Sequence, residues 1–237
     1  MTNTDKKRLD ELCAGKSAEW FETRAEYLGG FITEQRLLTM TRTLDMRTRY
    51  MTVCMENTFH PQNASALVRT CEAFGIQDIY TIDNLCRFNP NLHIVKGTDK
   101  WIDIRRSGST DAALDTLQSA GYRIIATTPH RGDCTPEQFD VTAGPFAIVF
   151  GTEHAGISQQ VMERADGFVR IPMCGFVESL NVSASASVLL YILAQKVRNS
   201  GVDWQLSRHE RSRIMFRWLM LSIKDSYGVL ERGFSSR

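Results

Sequence analysis

Residues 146–158 read Phe146-Ala-Ile-Val-Phe150-Gly151-Thr-Glu153-His-Ala-Gly156-Ile157-Ser158. Five apolar residues run into a turn with glycine at both ends, and Ser158 opens a helical stretch over 158–165. An unbroken apolar run of this length suits a strand buried on both faces, and glycine at its exit lets main chain approach a ligand closely. The glycines have Walker A spacing, but Ile157 stands in the place of the phosphate-binding lysine, which argues against nucleoside triphosphate hydrolysis. A plain strand-to-helix turn is the alternative.

Working outward, the chain after Arg49 alternates between strand and helix signals. Strands are predicted over Tyr50 to Met55, Asp78 to Ile82, Tyr122 to Thr127, Phe146 to Phe150 and Phe168 to Ile171. Helices are predicted over Gln62 to Phe74, closed by Gly75, and over Thr110 to Ala120, Ser158 to Ala165 and Asn181 to Asn199. This alternation predicts an α/β fold with a mostly parallel, doubly covered sheet. Residues 83–100 and 129–145 read as long loops. Residues 5–46 read as helical, with Ser17 and Thr33 as N-caps and Gly29-Gly30 separating two short helices. Near the other end, Ser207 and Glu210 make a capping box. The expected division is a helical extension over 1–48, an α/β domain over 49–200 and a basic, aromatic helix within 201–237.

With 237 residues, 43% hydrophobic and 23% charged, the chain has the composition of a globular protein. No apolar run reaches the roughly 18 residues that suggest a membrane span. The six cysteines form no C-x-x-C pair and no cluster at zinc spacing, so they read as small buried hydrophobes in a reducing cytoplasm, with no metal site. The net charge of +1 conceals an asymmetry: residues 196–237 carry nine basic side chains against four acidic ones. That excess suggests a polyanion-binding surface, with a solvated helix as the alternative. At about 100° per residue, Ile214, Trp218 and Leu221 share one side of the last helix while Arg213, Arg217 and Lys224 share another.

The absence of G-x-G-x-x-G argues against an ordinary dinucleotide site, and Ser158 and Ser179 lack the G-x-S-x-G turn of a serine hydrolase. Three segments in order carry more information. They are Pro61-Gln-Asn63-Ala-Ser-Ala-Leu-Val-Arg69-Thr70, the run Ile148 to Ser158, and Ile171-Pro-Met173-Cys-Gly-Phe-Val-Glu-Ser179-Leu180-Asn181. Together they resemble motifs 1, 2 and 3 of the SpoU family of RNA ribose 2'-O-methyltransferases, within the SPOUT superfamily. Gln62 departs from the pattern, where relatives carry His. The helix carrying Arg42, with Arg47 and Arg49 after it, and the tail with Arg213 and Trp218 most resemble members that methylate tRNA at guanosine 18. Residues 1–30 match no part of the pattern.

The resemblance implies a C-terminal trefoil knot, a homodimer with its sites at the subunit interface, and S-adenosylmethionine held largely by backbone around Thr127, Gly151 and the segment from Ile171 to Leu180. Ile171, Met173 and Leu180 then serve as cofactor walls, with ordinary core packing as the alternative. It implies that Arg69 activates the ribose hydroxyl. A guanidinium keeps its charge, so clamping a phosphate and stabilising a developing alkoxide suit it better than removing a proton unaided. Helical phase alone makes Arg69 a solvated side chain. Asn63 is an N-cap or an organiser of the site. Glu153 is a turn residue or a hydrogen-bond partner of Asn63 and Arg69. Ser179 lines the reaction centre, and Asn181 belongs to the site or caps the next helix. Arg42, Arg47, Arg49, Arg213, Arg217 and Lys224 are the candidate RNA contacts, with tRNA as the expected partner. Methylation of ribosomal RNA and a catalytically silent RNA-binding module are the competing readings.

Overall fold

A computed structural model describes residues 3–95, 97–129, 133–152 and 155–234. Chain contacts divide it into two compact units, Thr48–Trp204 and a second made of Met1–Arg47 with Gln205–Arg237. Both terminal segments fall in the second unit.

The larger unit holds a six-stranded, all-parallel sheet in the order β3-β2-β1-β5-β4-β6. The strands are β1 (Met51–Glu56), β2 (Asp78–Ile82), β3 (Asp103–Ser107), β4 (Arg123–Thr127), β5 (Phe146–Phe150) and β6 (Gly167–Val169). Between them run α4 (Pro61–Ala73), the single turn α5 (Leu92–Val95), α6 (Thr110–Ser119) and α7 (Gln159–Arg164), and α8 (Val182–Asn199) follows β6. Side chains alternate across the strands. Phe146, Ile148 and Phe150 pack with Leu67, Val68, Leu189 and Leu193 of α4 and α8. Ala147 and Val149 pack with Leu114 and Leu117 of α6 and Val161 of α7. Both faces of β5 are therefore covered, and each large apolar side chain so buried contributes about 1.5–3 kcal/mol.

The caps agree with the sequence. Ser158 Oγ accepts from Val161 N at the start of α7, and Asn181 Oδ1 accepts from Ser183 N at the start of α8. Strand β3 is the element that periodicity misses. Its sequence Asp103-Ile-Arg-Arg-Ser107 has no apolar run because it is the sheet edge, where Arg105 and Arg106 pair with Asp78 and Asp83. The stretch 83–100 is also more ordered than a loop, since it contains α5 and a short 3₁₀ turn at Thr98–Lys100. At the opposite edge, β6 pairs with β4 on one side, while Asp133 N and Cys134 N donate to Phe168 O on the other. The connection between β4 and β5 thus passes outside β6.

The terminal unit contains α1 (Asn3–Cys13), α2 (Ala18–Gly29), α3 (Glu34–Asp45), α9 (Arg208–Ser222) and α10 (Ser226–Phe234), three helices before the sheet rather than two. Ser17 and Thr33 cap α2 and α3, and Ser207 with Glu210 forms the capping box of α9. The rings of Trp20, Phe21 and Phe216 meet at centroid distances of 5.2 to 5.6 Å.

The expected two-sided character of the last helix is corrected here. Helix α9 packs against α2, α3 and α10, and Ile214, Phe216, Arg217, Trp218, Leu219 and Met220 are all buried. Arg217 is 8% exposed and pairs with Asp10. Arg211 pairs with Asp45, and Arg208 with Glu19 and Glu22. Three of the tail's nine basic side chains are thus met by acids of the N-terminal helices. Replacing Arg217 by Ala leaves Asp10 without this partner and opens a gap in the core. We expect it to lower the unfolding free energy by about 2 kcal/mol in urea denaturation, since Asp10 is only half-buried. An unchanged midpoint would show that the pair contributes nothing measurable.

Candidate active site

In a parallel sheet ligands bind beyond the carboxyl ends of the strands. The larger unit has a cavity of about 760 Å³ there, at the ends of β4, β5 and β6. Thr127 contributes from β4, Phe150 from β5 with Gly151 just after it, and Val169 from β6 with Arg170 just after it. Ile171, Met173, Ser179, Leu180 and Asn181 form another wall, and Val182, Ser185 and Leu189 of α8 close it. All five predicted cofactor residues, Thr127, Gly151, Ile171, Met173 and Leu180, therefore line one space.

The turn after β5 is built by main chain. Thr152 and Gly156 exchange two backbone hydrogen bonds, of 2.9 and 3.1 Å, and Gly156 has a φ of +68°, which glycine adopts without strain. Gly151 lies against the returning chain. A β-carbon placed on it would fall 2.1 Å from the Gly156 carbonyl carbon and 2.4 Å from Ile157 N. No flexible side chain is there to yield. Thr127 Oγ1 donates to Val149 O at 3.0 Å, tying the ends of β4 and β5 together. Glu153 lies outside the described residues.

Ser179 and Asn181 line the cavity, and Asn181 also caps α8. Arg69 and Asn63 stand on α4, outside the residues lining this cavity. Arg69 is exposed, and its Nη1 donates to Ile94 O at 3.1 Å. Asn63 is buried at the third position of α4, whose N-cap is His60, so the capping alternative for Asn63 is corrected. Helix α4 is tied to α8 through Thr70 Oγ1 and Ser187 Oγ, 3.2 Å apart.

The six candidate RNA contacts, five arginines and a lysine, divide. Arg47 is 0% exposed, with its guanidinium over the Trp218 ring, and Arg217 is held by Asp10. Arg49 Nε donates to Asp78 at 2.5 Å, and its Nη2 lies 3.3 Å from Asp103. These three are occupied inside the protein, because a buried guanidinium requires a nearby anion or ring more than it can serve a distant phosphate. Arg213 is half-buried beside Cys13. Arg42 and Lys224 are exposed. Of the cysteines, Cys13, Cys54 and Cys71 are buried as expected, with burial pushing the Cys13 and Cys54 thiols up, but Cys174 is exposed.

Sequence reasoning missed Glu56 and Asn57 at the end of β1. Both are buried. Asn57, with φ of +50°, accepts from Leu85 N at 2.8 Å and Cys86 N at 3.3 Å through Oδ1. A carboxylate at the exit of an apolar strand was the available signal. Among the described residues no cluster of potential metal ligands occurs, and no helix is long and apolar enough to cross a membrane.

Comparison with known proteins agrees with this arrangement. Residues 50–191 match the SpoU rRNA Methylase family. The chain belongs to the SpoU methylase family. Similar relatives include a tRNA (guanosine(18)-2'-O)-methyltransferase of Borreliella burgdorferi, 33% identical, with 90% of this chain and 97% of that protein covered. One of the same description from Escherichia coli is 30% identical over 70% of this chain and 74% of its own. Among solved structures, the Aquifex aeolicus TrmH/SpoU tRNA modifying enzyme superposes with a TM-score of 0.71 at 29% identity, covering 81% of this chain and 98% of that one.

Within this SpoU methylase the Gly151 contact is directly testable. Gly151→Ala should cost about 2–3 kcal/mol of stability in chemical denaturation, the upper part of the roughly 1–3 kcal/mol range for forcing extra volume into a packed site. A variant with wild-type stability would show that the 151–157 turn can move aside.

Proposed function

We propose that this protein transfers the methyl group of S-adenosylmethionine to a ribose 2'-hydroxyl of tRNA, at guanosine 18 of the D-loop. The observation that carries the reading is the convergence of the second and third motif segments on one cavity beside β5, with Gly151, Ile171, Met173, Ser179 and Leu180 in its wall. The cavity falls within the roughly 300–1,000 Å³ range of small-ligand sites. Main chain brought close by Gly151 and Gly156 suits a cofactor held by backbone groups.

When bound, S-adenosylmethionine supplies an electrophilic methyl on a sulfonium whose positive charge disappears as the methyl leaves. Walls of Ile171, Met173 and Leu180 exclude water and favour that loss of charge. Ser179 and Asn181 offer hydrogen-bonding groups at the same wall. The Arg69 guanidinium holds a substrate phosphate or the developing alkoxide, and the hydroxyl proton leaves to water or to a phosphate oxygen. Asn63 orients that side of the site.

The trefoil knot belongs to this reading. It is supported by β6 lying between β4 and Asp133–Cys134 of the connection that returns to β5. So does the homodimer, supported by exposed Phe176, Val177 and Tyr191 on the third motif and α8. Sedimentation should give twice the chain mass of 26.9 kDa, and a monomer at micromolar concentration would remove the dimer from the scheme.

Labelled S-adenosylmethionine and a panel of unmodified tRNA transcripts test the activity. Label should map by nuclease digestion to the ribose at position 18, and no 2'-O-methyl product on any tRNA would overturn the reading. For RNA contact, exposed Arg42 and Lys224 replace the buried arginines as the leading candidates, with Arg213 beside them. Arg42→Ala and Lys224→Ala should each lower the slope of log affinity against log salt by about 1, whereas Arg47→Met should not. Equal slopes in all variants would place RNA contacts elsewhere.

A further inference from the structure

We propose that Glu56 is a positioning residue that fixes Gly156, Ile157 and Ser158, at the cofactor-side exit of the turn after β5, through the Ser158 amide. The inference rests on the methyl-transfer reading for the identity of the ligand, but its geometry is independent of it. Glu56 is the last residue of β1, which lies between β2 and β5 inside the sheet. Its side chain is 2% exposed and does not line the cavity. Oε2 accepts from Ser158 N at 2.9 Å, across 102 residues of sequence. Oε1 accepts from Thr110 Oγ1 at 3.4 Å, and Thr110 Oγ1 in turn accepts from Asn84 Nδ2 at 3.4 Å.

A buried carboxylate is costly unless its oxygens are hydrogen-bonded. Both oxygens here meet neutral donors, and the bond to a main-chain amide is charge-assisted, hence stronger than a neutral one. The amide it holds is the useful feature. Ser158 caps α7, and the two residues before it, Gly156 and Ile157, line the cavity. The turn is thereby fixed at both ends. Gly151 is closed upon by the Gly156–Ile157 backbone at one end, and Glu56 grips the exit at the other. Neither the Thr152–Gly156 bridge nor the α7 cap ties this turn to the centre of the sheet. Glu56 does. Its neighbour Asn57 holds Leu85 and Cys86 in the same manner, so the end of β1 secures two loops on the ligand side of the sheet.

The test compares Glu56→Gln, Glu56→Asp and Glu56→Leu in the full-length protein. Gln can still accept from Ser158 N and donate to Thr110 Oγ1, Asp is too short by one methylene, and Leu removes both bonds. Calorimetric titration of S-adenosylmethionine should give affinity within about threefold of wild type for Gln and at least about tenfold weaker for Asp and Leu, the scale of one lost charge-assisted hydrogen bond. Dissociation of tRNA should change less than twofold, and KM for the cofactor should rise more than kcat falls. Folded Asp and Leu variants that bind cofactor like wild type would overturn the proposal, as would a Gln variant as weak as Leu. Amide exchange supplies a second measurement that requires neither cofactor nor a well-folded Leu variant. The Ser158 amide should be protected in the free wild-type protein and in Glu56→Gln, and exchange at least about tenfold faster in Glu56→Asp. An unprotected wild-type Ser158 amide would overturn the clamp. Protection in a wild-type protein that takes up no cofactor would instead uphold the clamp and count against the methyl-transfer reading.

Discussion

The contact between the α-carbon of Gly151 and the Gly156–Ile157 backbone is the constraint on which the site depends. It lets the chain leave β5, turn through the Thr152–Gly156 bridge and come back against its own starting point within six residues. No residue with a β-carbon fits there. The consequence is a cavity wall made of main chain, at the carboxyl end of a strand buried on both faces. A wall of that kind presents fixed amide and carbonyl groups without the entropy cost of ordering long side chains. It also explains how a nucleotide-type cofactor can be accommodated without G-x-G-x-x-G.

Around that turn the sheet acts as a rigid reference. β1 and β5 are neighbours, and both carry apolar side chains to the two covering layers. Loops fastened to their ends inherit that rigidity. Asn57 in the left-handed region and Glu56 beside it show the arrangement most plainly. Each is a polar side chain buried where the strand stops; Asn57 accepts from the Leu85 and Cys86 amides, and Glu56 from the Ser158 amide.

The terminal unit shows how charge counts mislead. Nine basic side chains in the last 42 residues suggest an RNA surface, yet Arg208, Arg211 and Arg217 face Glu19, Glu22, Asp45 and Asp10. The acids that answer them lie more than 160 residues earlier in the chain. Helical phase made the same error from another direction. A two-sided pattern assumes one packed face, whereas α9 packs against three helices, and Arg217 became part of the core by pairing with Asp10.

What the sequence determined by itself is whatever depends on near neighbours. The caps at Ser17, Thr33, Ser158 and Ser207 act over three residues, and the buried strands declare themselves by apolar runs. The ordered motif segments identified the family because they are contiguous stretches with fixed internal spacing. Tertiary structure alone decided which segments meet. It brought Thr127, Gly151, Ile171, Met173, Ser179 and Leu180 into one cavity, left Arg69 on α4 against the Ile94 carbonyl, set the charged strand β3 at the sheet edge, and joined Glu56 to Ser158. The physical reason is that local backbone preference is written in consecutive residues, whereas a hydrogen bond or ion pair across a hundred residues depends on where the folded chain returns.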